Sequence, residues 1–157
     1  MTVLGIDPGI AFTGYGIVEL QHGDAIRYID CGVVSTSPKQ RESTRLNHIY
    51  ENITRIIKKY RPDVVAVETI FFTKNLRSLA QVSEAIGVIT LAAGRCGLDV
   101  RKITPLEVKS AIVRSGKADK EQVQQMVKTL LGLGELPASH HASDALAIAI
   151  SYNSIHF

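Results

Sequence analysis

The sequence is poor in cysteine. Cys31 and Cys96 are the two in 157 residues, and they lack any metal-binding spacing. They read as buried or spare thiols of a reduced, cytoplasmic protein. Membrane signals are missing as well. No uninterrupted apolar run reaches the ~18 residues that span a bilayer, and Met1-Thr2 leads into a strand without the basic segment of a signal peptide. Low-complexity tracts, internal repeats and linkers are absent, so residues 1–157 read as a single domain large enough for a substantial core. Net charge is small too, at +3, but it is unevenly spread. Between Arg101 and Lys128 seven basic residues stand against three acids, a local surplus larger than that of the whole chain. Such a cluster is ordinarily a solvated face. It points to nucleic acid only where metal-binding acids lie beside it.

What is present is a series of strands and helices whose acids fall at strand ends. Val3-Leu4-Gly5-Ile6-Asp7 is apolar up to its carboxylate and is closed by Pro8-Gly9, which predicts a buried strand running into a turn. Residues 13–20 and 25–36 predict two further strands, paired back as an antiparallel meander. The spacing of Leu46, Ile49, Tyr50, Ile53, Ile56, Ile57 and Tyr60 predicts a helix over 41–60, stopped at Arg61-Pro62. Residues 63–68 then run apolar into Glu68, the pattern of a central strand parallel to the first. A helix over 76–93 carries two apolar stripes, which predicts burial on both sides, in a larger core or against a partner subunit. A short fifth strand over 99–103 precedes a helix opened by Thr104-Pro105. Asp119 with Gln122 predicts the start of another, with Val123, Met126, Val127, Leu130 and Leu131 facing inward. The last helix, 140–152, is apolar all round from Ala145 to Ile150, and Asp144 stands just before that stretch.

A carboxylate at the mouth of a buried strand is costly unless it is used. Asp7 alone reads equally well as a turn residue. Glu68 closes a second strand in the same way, and parallel strands bring both acids to the crevice where open α/β sheets bind ligands. Asp144 supplies a third acid. Three such acids at one edge give each of them a reason beyond the turn. His141 lies three residues before Asp144 on the same helix face, whereas His140 has the rival spacing of four.

Several motifs now stand in order: Gly5-Ile6-Asp7-Pro8-Gly9 with Thr13-Gly14-Tyr15-Gly16, Glu68 followed by Phe71, Lys109, Lys117-Ala118-Asp119-Lys120, Gln122-Val123-Gln124, and Asp144-Ala145-Leu146-Ala147-Ile148-Ala149-Ile150. Together, and nearly end to end, they closely resemble the RuvC family of Holliday junction resolvases. The resemblance implies an α/β, ribonuclease H-like fold, with a five-stranded mixed sheet flanked by helices on both faces. It implies a homodimeric, metal-dependent endodeoxyribonuclease that nicks two opposed strands of a four-way DNA junction in recombination and repair. A branch-migration motor complex is the family's usual partner.

Carried over residue by residue, the resemblance makes Asp7, Glu68, His141 and Asp144 the catalytic metal ligands. They would hold two Mg²⁺ ions, with Mn²⁺ also supporting activity. Many members have Asp where this chain has His141, and the family's acid-x-x-Asp spacing favours His141 over His140. Lys109 and Lys120 would bind phosphates beside the scissile bond, with Lys117, Lys74 and Arg77 as further DNA contacts. Phe71 would stack on an unpaired base at the junction centre. The plainer reading tucks one of Phe71 and Phe72 into the core. Three rivals share parts of the pattern. A related ribonuclease H-like nuclease of ribosomal RNA maturation opens with a similar strand. Sugar kinases and actin-like ATPases use the same strand and turn but need two such domains. A catalytically inactive junction-binding protein would have lost one of the acids.

Overall fold

The computed structural model describes residues 1–22, 25–69 and 75–156. Its elements run β1 (Thr2–Asp7), β2 (Phe12–Leu20), β3 (Ile26–Ser35), α1 (Glu42–Tyr60), β4 (Val64–Glu68), α2 (Leu76–Arg95), β5 (Val100–Ile103), α3 (Pro105–Val113), α4 (Lys120–Leu130) and α5 (His140–His156). The five strands form one mixed sheet in the order β3-β2-β1-β4-β5. β1 pairs antiparallel with β2 and parallel with β4, so Asp7 and Glu68 end neighbouring strands at the same edge of the sheet. This parallel pairing follows from the α1 crossover, since a parallel neighbour cannot be reached by a tight hairpin.

Two apolar layers sandwich the sheet. On one face Leu4, Ile6, Ile17, Val65 and Val67 pack against Ile49, Ile53 and Ile57 of α1 and Ala85, Ile89 and Ala92 of α2. On the other, Val3, Val18 and Ala66 meet α3, α4 and the apolar run of α5. The helix ends follow local chemistry. Arg61 closes α1 in a left-handed conformation (φ 47°) just before Pro62. Thr104 with Glu107 and Asp119 with Gln122 form reciprocal capping boxes that start α3 and α4. Asn75 caps α2 by accepting from the backbone N–H groups of Arg77 and Ser78.

Three features depart from the pattern read in the sequence. Leu130 is 41% exposed rather than inward, because α4 ends there and only Val123 and Val127 on its inner face are fully covered. α2 is also bare at Leu76, the start of one stripe, and at Leu91, which lies on neither. Ala85, Ile89, Ala92 and Ala93 are buried, but Leu76 and Leu91 are 78% and 56% exposed. At 20 residues, α2 is also the one helix among the described residues with the length and composition to cross a membrane, although it packs on α1 within this domain. Finally, β2 begins at Phe12, one residue earlier than its β-branched run implies.

α5 lies almost in contact with the strand backbones because glycines remove the side chains beneath it. A Cβ on Gly5 would stand 2.2 Å from the Ala145 carbonyl oxygen, and one on Gly16 would stand 2.6 Å from the Leu146 nitrogen. Both obstacles are backbone atoms, which cannot swing aside. Gly5→Ala should therefore cost at least about 3 kcal/mol, the upper part of the range for overpacking a core. Urea unfolding of the purified variant measures this directly, and a loss under about 1 kcal/mol would mean that α5 is not seated as described.

Candidate active site

The carboxyl ends of β1 and β4 and the first turn of α5 meet at one edge of the sheet. Asp7 comes from β1, Glu68 from β4, and His141 and Asp144 from α5. The strand acids arrive there because each apolar run ends in its carboxylate. The helix residues arrive because Gly14, opposite Asp7 in the β1–β2 register, leaves room for the backbone of His141. A Cβ at Gly14 would lie 2.0 Å from the His141 carbonyl oxygen.

At this edge the imidazole Nδ1 of His141 lies 2.7 Å from Oδ2 of Asp7, a hydrogen bond spanning 134 residues of sequence. His140 points elsewhere, with its Nδ1 3.2 Å from Nε2 of Gln124 on α4. Lys120 Nζ donates to Oδ2 of Asp144 at 2.7 Å. Lys120 and Asp144 also line a cleft of about 260 Å³ with Glu68 and Lys109, over an apolar floor of Pro105, Val108, Val123 and Ala147. Burial raises Asp7 above the ordinary carboxylate range and the charge of Asp144 adds to this, although its hydrogen bond to His141 and the charges of His141 and Lys120 oppose the rise. Glu68 is pushed up to about 7, first by burial and then by Asp7 and Asp144, with Lys120 and Lys109 pulling the other way. Among the described residues, no three Asp, Glu, His or Cys side chains already close into a metal cage. They form instead a crowded set of acids shared between His141 and Lys120.

The other candidate residues are placed less centrally. Lys117 is exposed in the turn before α4, and Arg77 is exposed in the first turn of α2; neither lines the cleft. Phe71, Phe72 and Lys74 lie outside the described residues. One neighbour gave no signal in the sequence. The ring of Phe12 stacks on His141, with centroids 5.5 Å apart and planes at 20°. An aromatic residue at the first position of a strand has no periodicity to mark it.

The profile of the family described as "Crossover junction endodeoxyribonuclease RuvC" matches residues 3–152. The chain belongs to this family. Curated RuvC relatives from Caldicellulosiruptor saccharolyticus and Pelotomaculum thermopropionicum are 48% and 47% identical over 152 residues, which covers 97% of this chain and 92% of each relative. A solved structure of Thermus thermophilus RuvC in complex with a Holliday junction substrate is 37% identical, with a TM-score of 0.94 over 98% of this chain and 93% of that one. The yeast mitochondrial resolvase Ydc2, at 13% identity and TM-score 0.70, shares the fold. The chain is thus a ribonuclease H-like endodeoxyribonuclease of the RuvC family, and the ribosomal RNA and kinase readings fall away.

The state of Glu68 sets a test within this edge. The folded protein holds the Glu68 proton more tightly than the unfolded chain does, so this side chain favours folding at low pH. That contribution is lost as pH rises from about 4.5 to about 7. Glu68→Gln removes the dependence. Without added divalent ions, the variant should be the more stable protein at pH 8, by on the order of 1–2 kcal/mol after solvent screening, and equal to wild type near pH 4. Thermal melting of both proteins across that range measures it, and a variant less stable at pH 8 would contradict the crowding of acids.

Proposed function

We propose that the chain resolves four-way DNA junctions by hydrolysing one phosphodiester in each of two opposed strands, with Asp7, Glu68, His141 and Asp144 holding a pair of divalent ions. What carries the reading is the meeting of those four residues at one sheet edge, beside a cleft walled by Lys109 and Lys120, in a chain of the RuvC family. The donor set fits such ions. Three carboxylates and one imidazole suit hard or borderline cations, with Mg²⁺ the first expectation and Mn²⁺ favoured by the nitrogen. Asp7 and Glu68 already bear the protonation cost of burial and like-charge crowding, which a cation relieves. When bound, the ions supply the positive charge that stabilises the attacking and leaving oxygens.

The protein's own groups then divide the work. Asp7 feels His141, Asp144 and Lys120 at once and stands at the middle of the set. Lys109 and Lys120 offer ammonium charges to the phosphates on either side of the scissile bond. Lys120 exchanges its contact with Asp144 for one with DNA as the substrate enters. Phe71 stacks on a base opened at the junction centre, while Lys74, Arg77 and Lys117 serve as further DNA contacts.

Paired nicks need two sites, and the bare side of α2 supports a homodimer. Its exposed Leu91 borders a groove of about 510 Å³ lined also by Leu46, Asn47, Tyr50, Val88 and Arg95. A two-fold interface uses the same patch twice. Leu91→Glu should leave a folded monomer by light scattering at micromolar concentration, whereas Ile89, fully buried in its own core, would report only on folding. A dimer that survives Leu91→Glu argues against this face.

Asp7→Asn keeps the shape and removes the charge. On a synthetic four-way junction it should lower cleavage by roughly 10³-fold or more in saturating Mg²⁺. Junction binding should be equal or tighter, since one negative charge near the phosphates is gone. Residual nicking within tenfold of wild type would rule out Asp7 as a metal ligand.

A further inference from the structure

We infer that Phe12 is a positioning residue for His141, fixing the plane of the imidazole so that its Nδ1 is presented beside Asp7. The inference rests on the reading of His141 as a metal ligand. Three contacts locate that side chain. Its backbone sits over Gly14, its Nδ1 meets Oδ2 of Asp7 at 2.7 Å, and its ring lies against Phe12 at 5.5 Å and 20°.

The first two contacts leave the ring free to tilt about the axis through Nδ1. The third removes that freedom, because offset-stacked rings resist tilting apart. Phe12 and Gly14 point to the same face of β2, two residues apart, so one strand both makes room for the histidine and orients it. The surroundings argue that this is what the ring is for. His141 is 43% exposed at its side chain and Phe12 is 50% exposed, so the stack stands at the rim and adds little to the core. An imidazole that open to solvent otherwise samples several rotamers, and ordering it only upon binding would weaken its hold on a cation.

The effect should be read as metal affinity, by titrating the full-length protein with Mn²⁺ in a calorimeter without DNA. Phe12→Leu keeps an apolar cover but loses the stacking plane, and should weaken Mn²⁺ binding roughly three- to tenfold. Phe12→Tyr should restore it. His141→Ala should weaken binding at least as much, and adding Phe12→Leu to His141→Ala should change nothing further, the non-additivity expected when one residue acts through another. In the metal-free protein, the ring protons of His141 should lose their aromatic ring-current shift in Phe12→Leu while the melting temperature stays within a few degrees. If His141→Ala binds Mn²⁺ as wild type does, the ligand reading and this inference fall together. If His141→Ala is weakened but Phe12→Leu is not, or if the two losses simply add, Phe12 does not position the histidine and the ligand reading stands alone.

Discussion

The close seating of α5 on bare strand backbone is the constraint on which the rest of the structure depends. Gly5, Gly14 and Gly16 have no side chains where α5 crosses β1 and β2, and an added Cβ at any of them would strike helix backbone at 2.0 to 2.6 Å. The helix can lie so low because its own facing residues, Ala145 and Ala149, are small. Seated in this way, its first turn is level with the ends of β1 and β4. Helix residues His141 and Asp144 then reach the same edge as strand residues Asp7 and Glu68.

That edge is an electrostatic compromise. Burial and mutual repulsion act on Asp7 and Glu68, and the fold offsets them with one imidazole and two lysines. Such an arrangement is poorer for stability than an apolar plug would be, and proteins keep such strain where it is used. The two lysines come from α3 and α4, elements held by their own capping boxes on the opposite wall of the cleft. The basic surplus between Arg101 and Lys128 is therefore no plain solvated face. Part of it borders the acids.

Much of this was legible in the amino-acid order, and for identifiable reasons. Apolar runs that end in Asp7 and Glu68 declare both the strand and the carboxylate at its mouth. The capping pairs Thr104–Glu107 and Asp119–Gln122 declare helix starts, because they are local in sequence. The choice between His140 and His141 was not local. Both spacings put an imidazole near Asp144, and only the packing of α5 on Gly14 turns one toward Asp7 and the other toward Gln124. Phe12 was invisible for the same reason, since its partner lies far along the chain. Leu76, at the start of one apolar stripe of α2, is exposed because a stripe declares apolar cover without saying whether that cover belongs to the same chain.

The contact between Asp7 and His141 joins residues 134 positions apart. Contacts so distant in sequence close late in folding, because the loop entropy must be overcome before they form. A ribosome has therefore released the first strands, the α1 crossover and the central sheet long before α5 emerges to complete the edge. Until then Asp7 and Glu68 stand without His141 and Asp144 of α5, and the candidate site is incomplete. The candidate edge is thus assembled only once α5 has settled on the glycines of β1 and β2.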